Sequence, residues 1–167
     1  MSNPTPHDKL IGLINAANEK QWEAGQLVFS VPAEEDGEQN TSVIVTPAEG
    51  QPYTGNRILF YDRVDLSTSH RGQSTDFVLG TQSGTLDLVQ SMRERFGVLI
   101  TSADILSEPL PAPDFTGKIT VTVKAHPDSY LWYGQIVVTL TPPLIPLDVA
   151  IATNMLAGLT LPDLFFP

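Results

Sequence analysis

The chain has 167 residues, 41% of them apolar, which suits one compact domain or two small ones around a real core. It carries 19 acidic against 9 basic side chains and a formal net charge of −10, so it lacks the basic face that a nucleic-acid backbone or an anionic membrane demands of a partner. Cysteine is absent, which excludes disulfides, thiolate metal sites and a cysteine nucleophile. The stretch MSNPTPHDKL does not show the basic-then-apolar order of a signal peptide, and no apolar run reaches membrane-spanning length. A soluble protein made in the cytosol is the expectation.

A helix is expected first. Thr5 serves as N-cap, Pro6 suits the first helical position and Asp8 closes a capping box. Leu10, Leu13, Ile14 and Ala17 follow at helical spacing, and Asn18 ends the run. Gln21 to Gly25 reads as a turn anchored by Trp22, and Leu27 to Val31 as a short strand. An acidic loop, Pro32 to Asn40, precedes a β-branched strand over Thr41 to Thr46. Pro47 to Pro52 is turn material, and Gly55 to Val64 reads as a longer strand. Ser67 to Gly84, rich in Ser, Thr, Gly and Gln, reads as a linker or long loop with Phe77-Val78-Leu79 as a docking point. A second helix is expected with Thr85 as its cap, the stripe Leu86, Val89, Met92 and Phe96 and a stop at Gly97. Ile105-Leu106 begins a short strand, and Pro109 to Pro113 is a stiff loop. Ile119 to Lys124 alternates cleanly, His126 to Ser129 is a turn, and Gln135 to Leu140 is apolar on both faces, as in a central strand.

The two halves repeat each other. A shift of roughly 78 residues lays Leu10, Ile11 and Ile14 on Leu88, Val89 and Met92. The same shift lays Trp22 on Ile100, Leu27-Val28 on Ile105-Leu106, and Val43 and Val45 on Val121 and Val123; after one extra residue, Tyr53-Thr54-Gly55 meets Trp132-Tyr133-Gly134. The expected fold is therefore α+β: two tandem helix–strand–strand–strand units, 1–66 and 85–140, joined by the linker 67–84. The sheet is expected to be mainly antiparallel with helices on one face, and the halves to share one core because each alone is small.

The tail, 141–167, has no counterpart in the first unit's pattern. It holds Asp148 and Asp163 and no Lys or Arg, too apolar for a solvated tail. Prolines 142, 143 and 146 favour an extended approach, and 149–161 reads equally as strand or helix. Either the tail completes its own core, or it is an arm that docks on a neighbour. The contact residues are then Leu147, Val149, Ile151, Met155, Leu156, Leu159, Leu161, Leu164, Phe165 and Phe166.

No chemistry is duplicated with the scaffold. His7, His70 and His126 stand apart from one another and from carboxylates at ligand spacing, so no metal site is expected. The cluster Glu34-Glu35-Asp36-Gly37-Glu38 lacks the alternation of a calcium loop and reads as a solvated charge cluster. There is no Gly-x-Ser-x-Gly elbow, and Gly80-Thr81-Gln82-Ser83-Gly84 has no following Lys to make a phosphate loop. Neither a catalytic residue nor a cofactor or small-molecule substrate is expected. Tyr53, Tyr61, Tyr130, Trp132 and Tyr133 gather near the strand turns; as an exposed platform they would bind carbohydrate, and as repeat-matched positions they close the core.

These segments resemble a family. The helix DKLIGLINAAN, the strand QLVFS, the Thr/Val-rich strand from Thr41, the Tyr53-Thr54-Gly55 turn and the strand end Arg63 to Leu66 are similar to virion structural proteins of large tailed bacteriophages, as is LAGLTLP at Leu156 to Pro162. The resemblance implies a particle component in head, neck, tail or baseplate, without enzymatic activity, present in the virion and partnered by other virion proteins and by copies of itself. A carbohydrate- or receptor-binding module using the aromatic turns is the alternative.

Overall fold

Helix α1 spans Pro6–Asn18 and starts where its capping box lies. The Thr5 hydroxyl accepts from the Asp8 N–H at 3.2 Å, and the Thr5 N–H donates to Asp8 Oδ2 at 2.7 Å. Those bonds hold the Asp8 carboxyl below its ordinary range. The helix closes on Glu19 in the left-handed region, φ 52°. The expected cap Thr85 is instead the first residue of a 3-10 turn, Thr85–Leu88, which follows Gly84 at the cap position and runs into α2, Val89–Phe96. Gly97 ends it at φ 64°, its N–H donating to Arg93 O, a conformation that glycine adopts without steric cost. The computed structural model describes residues 5–19 and 21–144, so every expected contact residue of the tail, Leu147 to Phe166, lies outside the described residues.

The architecture is mixed α+β, with strands paired mostly antiparallel. The first sheet comprises β1 (Leu27–Phe29), β2 (Ala33–Glu34), β3 (Thr41–Pro47) and β4 (Arg57–Tyr61), all antiparallel to a central β3. Here two expectations need correction. The acidic stretch 32–40 is not all loop: β2 pairs with β3, and only its tip is irregular. The long strand expected over 55–64 breaks after Tyr61, because side chains replace the ladder. Asn40 Nδ2 donates to Arg63 O at 2.9 Å, the Arg63 N–H donates to Asn40 Oδ1 at 2.8 Å, and the Asn40 N–H donates to Asp62 Oδ1. The chain turns away there and resumes as β5, Val64–Asp65.

The second sheet orders β6 (Asp76–Val78), β9 (Gln135–Thr141) and β7 (Ile119–Lys124), with β9 in the middle. β9 runs antiparallel to β7 and parallel to β6. Its position is central, yet only one face is covered: Ile136, Val138 and Leu140 are buried while Val137 is 50% exposed. The stretch 67–84 is corrected as well. It contains β6, and Phe77 is buried in the second core, so an apolar anchor overrides its polar, loop-like composition. The strand expected at Ile105 reduces to a single bridge to Ala125.

One apolar cluster runs through Leu66, Phe77, Leu88, Met92, Phe96, Ile100 and the inward faces of β7 and β9. Apart from Leu66 and Phe77, all of it comes from residues 88–140. Ahead of Leu66, the buried apolar side chains among the described residues are Leu10, Ile11, Val43 and Val45. The expected single shared core is thus replaced by a large cluster and a small one, joined by a polar seam. In that seam β5 pairs in parallel with β8, Trp132–Tyr133. The Arg63 side chain is 3% exposed. Its Nε donates to Thr41 Oγ1 at 2.9 Å, and its Nη1 to the carbonyls of Pro127 and Ser129 at 3.1 and 3.2 Å. Tyr130 adds a bond from Oη to Ser30 O at 3.0 Å.

Candidate functional site

The most site-like feature is a groove between α1 and the outer strand β4. The helix contributes Leu13, Ile14, Ala17 and Asn18, and the sheet contributes Val43, Leu59 and Tyr61, around a volume of about 300 Å³. It arises because α1 ends in small side chains, Ala16-Ala17-Asn18, which leave the sheet beneath them unfilled. Among the described residues no strand pairs with the outer edge of β4, so its backbone groups there are free to bind. The rim is apolar: Leu13 is 57% exposed and Phe60 58%. Tyr61 Oη is buried and meets no hydrogen-bond partner among the described residues. Burial pushes the Tyr61 hydroxyl up to about 12, against a smaller lowering from the Arg63 charge. Such a groove beside an open strand edge can take an extended apolar segment.

The other sequence candidates are dispersed into structural roles. Trp132 is buried, and its Nε1 donates to Leu99 O at 2.9 Å. Tyr53 is exposed but packs on Trp22, 4.9 Å between ring centroids. The backbone of Trp22 is in turn clamped by Asn15, whose Oδ1 accepts from the Trp22 N–H and whose Nδ2 donates to Trp22 O. Tyr53 therefore stands apart with Trp22, whereas Tyr61, Tyr130 and Trp132 line one cavity of about 370 Å³. His7 stacks on Phe29 and lies tilted against Tyr130, His70 meets the edge of Phe96, and His126 Nδ1 accepts from the Asp128 N–H. Among the described residues no group of three His, Asp or Glu side chains is placed to hold a metal ion.

A cavity of about 710 Å³ opens beside residues 101–107 and 126–130 and brings together Asp104, His126 and Ser129. The arrangement is one of mutual support. Asp104 is 2% exposed, its Oδ2 accepts from the Thr101 N–H and hydroxyl, and its Oδ1 accepts from Ser129 Oγ at 2.6 Å. Ser129 Oγ also receives the Trp132 N–H, so the hydroxyl orients the turn before β8. This buried acid went unread in sequence, where its one signal is the Thr101-x-x-Asp104 capping-box spacing. Asp87 likewise caps the 3-10 turn, and hydrogen bonds from Ser83 and Gly84 hold its carboxyl below the ordinary range.

No helix among the described residues is long and apolar enough to cross a membrane. Neither a curated protein nor a solved structure matches the chain. Residues 2–164 match a family of unknown function (DUF7941), and by that match, which spans nearly the whole sequence, the chain belongs to it.

Proposed function

We propose that the chain is a non-enzymatic structural component of a tailed-phage virion, in its head, neck, tail or baseplate. On this reading it is two tandem helix-plus-sheet units that assemble with copies of itself and with other virion proteins through apolar surface and a C-terminal arm, residues 141–167. The observation that carries the reading is the apolar groove beside the unpaired edge of β4, a surface suited to strand addition and without converging polar chemistry. The assignment to a virion draws on the LINAAN helix and the Tyr53-Thr54-Gly55 turn.

Register supports the tandem part. Leu27 pairs with Pro47, and 78 residues on, Ile105 bridges Ala125. The Ala48 N–H donates to Gln26 O, and at the same spacing the His126 N–H donates to Asp104 O. Val43 opposes Leu59 as Val121 opposes Val138, the second partner shifted by the one extra residue. Asn18 and Phe96 each end a helix before a left-handed residue, Glu19 and Gly97. Gly55 and Gly134 hold the matched turns at φ 89° and 74°.

Trp132 faces the core, which leaves the carbohydrate-binding alternative without a paired aromatic platform. Deletion of 147–167 from the full chain tests the assembly reading. A folded truncation should fall out of assembled particles, measured as copies per particle; normal incorporation would refute the arm.

A further inference from the structure

The groove in the first unit is the counterpart of a site that the second unit fills from its own chain. There β6 lies parallel along the outer edge of β9, with the Thr139 N–H donating to Thr75 O at 3.1 Å and the Leu79 N–H to Thr141 O at 2.8 Å. From the middle of β6, Phe77 reaches beneath α2. Its ring stands edge-on to Phe96 at 5.8 Å between centroids, with the Arg95 guanidinium 4.2 Å above its face. Leu140 is its register partner on β9. Moved back one repeat, Arg95, Phe96 and Leu140 become Ala17, Asn18 and Tyr61, all three lining the α1–β4 groove. The first unit thus has the Phe77 site with smaller helix side chains above it and no strand along it among the described residues. The partnerless Tyr61 hydroxyl borders the same space.

We propose that residues 152–158 of a second copy fill this groove as a strand added to the outer edge of β4, so that copies join head to tail. The assignment rests on the tandem-unit reading above. Ala152-Thr153-Asn154-Met155-Leu156-Ala157-Gly158 lies 78 residues beyond Ser74-Thr75-Asp76-Phe77-Val78-Leu79-Gly80, the spacing that relates the units up to Val45 and one residue short of the 79 that relates them from Tyr53 on. Thr and Gly recur, Asn stands for Asp, Leu for Val, and Met155 takes the place of Phe77, the anchor. An unbranched Met suits a groove of irregular shape. The order of the chain favours a second copy over the same one. β6 enters the groove of the unit that follows it in sequence. Continued past the second unit, that order brings 152–158 to the first unit of another chain. Donor and acceptor are different surfaces, so the contact is heterologous and propagates into a ring or a filament.

The test uses the full chain with two variants, each disabling one side of the contact. Met155→Asp places a charge on the donor anchor. Ala17→Glu places one in the groove from an exposed helix position. Sedimentation velocity should show concentration-dependent association of the unaltered chain, weakened about 100-fold in either variant, the effect of burying an unpaired charge. An equimolar mixture of the two should recover a one-to-one dimer that grows no further, because only the Ala17→Glu donor and the Met155→Asp groove remain intact. A synthetic peptide of residues 150–161 should bind Met155→Asp and not the double variant. Wild-type association by both variants, or a mixture that stays monomeric while each variant keeps its native circular dichroism, would overturn the proposal. So would an unaltered chain that is monomeric and whose β4 amides lose exchange protection on Met155→Asp, since the segment would then dock in its own chain. Should the 147–167 deletion abolish incorporation while Ala17→Glu incorporates normally, the arm stands and this groove falls. Should the deletion incorporate normally, the arm itself falls, whatever Ala17→Glu does.

Discussion

Arg63 shows how much one side chain can hold when it is buried with its partners. Its guanidinium is enclosed between Thr41 on β3 and the carbonyls of Pro127 and Ser129, so it ties the first sheet to the turn before β8. Its ion pair with Glu34, at 3.6 Å, contributes little because the Glu34 carboxylate is 87% exposed. Substitution Arg63→Ala strips three acceptors of their donor in a dry place and should destabilise the protein by about 3 kcal/mol, read from urea unfolding. Glu34→Ala should change stability by less than about 0.5 kcal/mol in the same measurement. Equal effects would mean that the ion pair, not the buried hydrogen bonds, holds the seam. In the sequence Arg63 is one basic residue near a strand end, and nothing local marks it as buried. Only the meeting of residues 41, 63, 127 and 129 makes it a structural centre. Thr5, Asp8 and Gly97 are the opposite case, for their capping roles depend on neighbours three or four positions away and are legible directly.

At the scale of elements, local pattern and long-range pairing part company. Helix α1, helix α2 and the alternating strand β7 lie where periodicity places them, because each buries a face that its own spacing defines. Strands β5, β6 and β8 were not legible as strands. They are two or three residues long and owe their pairing to partners 60 or more positions away, in parallel arrangements that turn signals do not announce. Strand β6 depends on Phe77, which carries the polar stretch 67–84 into the second core. Phe77→Ala should cost about 4 kcal/mol, measured by chemical denaturation, and should release protection of the Leu79 and Thr139 amides in hydrogen exchange. A loss below about 1 kcal/mol would mean that β6 docks through its backbone alone. The candidate groove was equally hidden. Leu13, Ile14 and Ala17 read as an ordinary core-facing stripe, and it takes the placement of β4 beneath them to leave the stripe half covered.

For the whole molecule, charge and apolar surface oppose each other. A net charge of −10 repels one copy from the next, while the groove and the exposed β4 face attract an apolar segment. Screening the repulsion should therefore tighten self-association about fivefold between roughly 50 and 500 mM sodium chloride, as followed by light scattering. Weakening with salt would point to ion pairs as the source of the contact. By itself the sequence determined the α+β class, both helices, the caps at Thr5 and Gly97 and the alternation of β7, since all of these depend on neighbours along the chain. Tertiary structure alone decided that a buried arginine ties the first sheet to the turn before β8, that β6 completes the second sheet, and that the outer edge of β4 beside α1 is an open groove. Those outcomes depend on volumes and hydrogen-bond partners brought together from distant positions, which one-dimensional spacing does not encode.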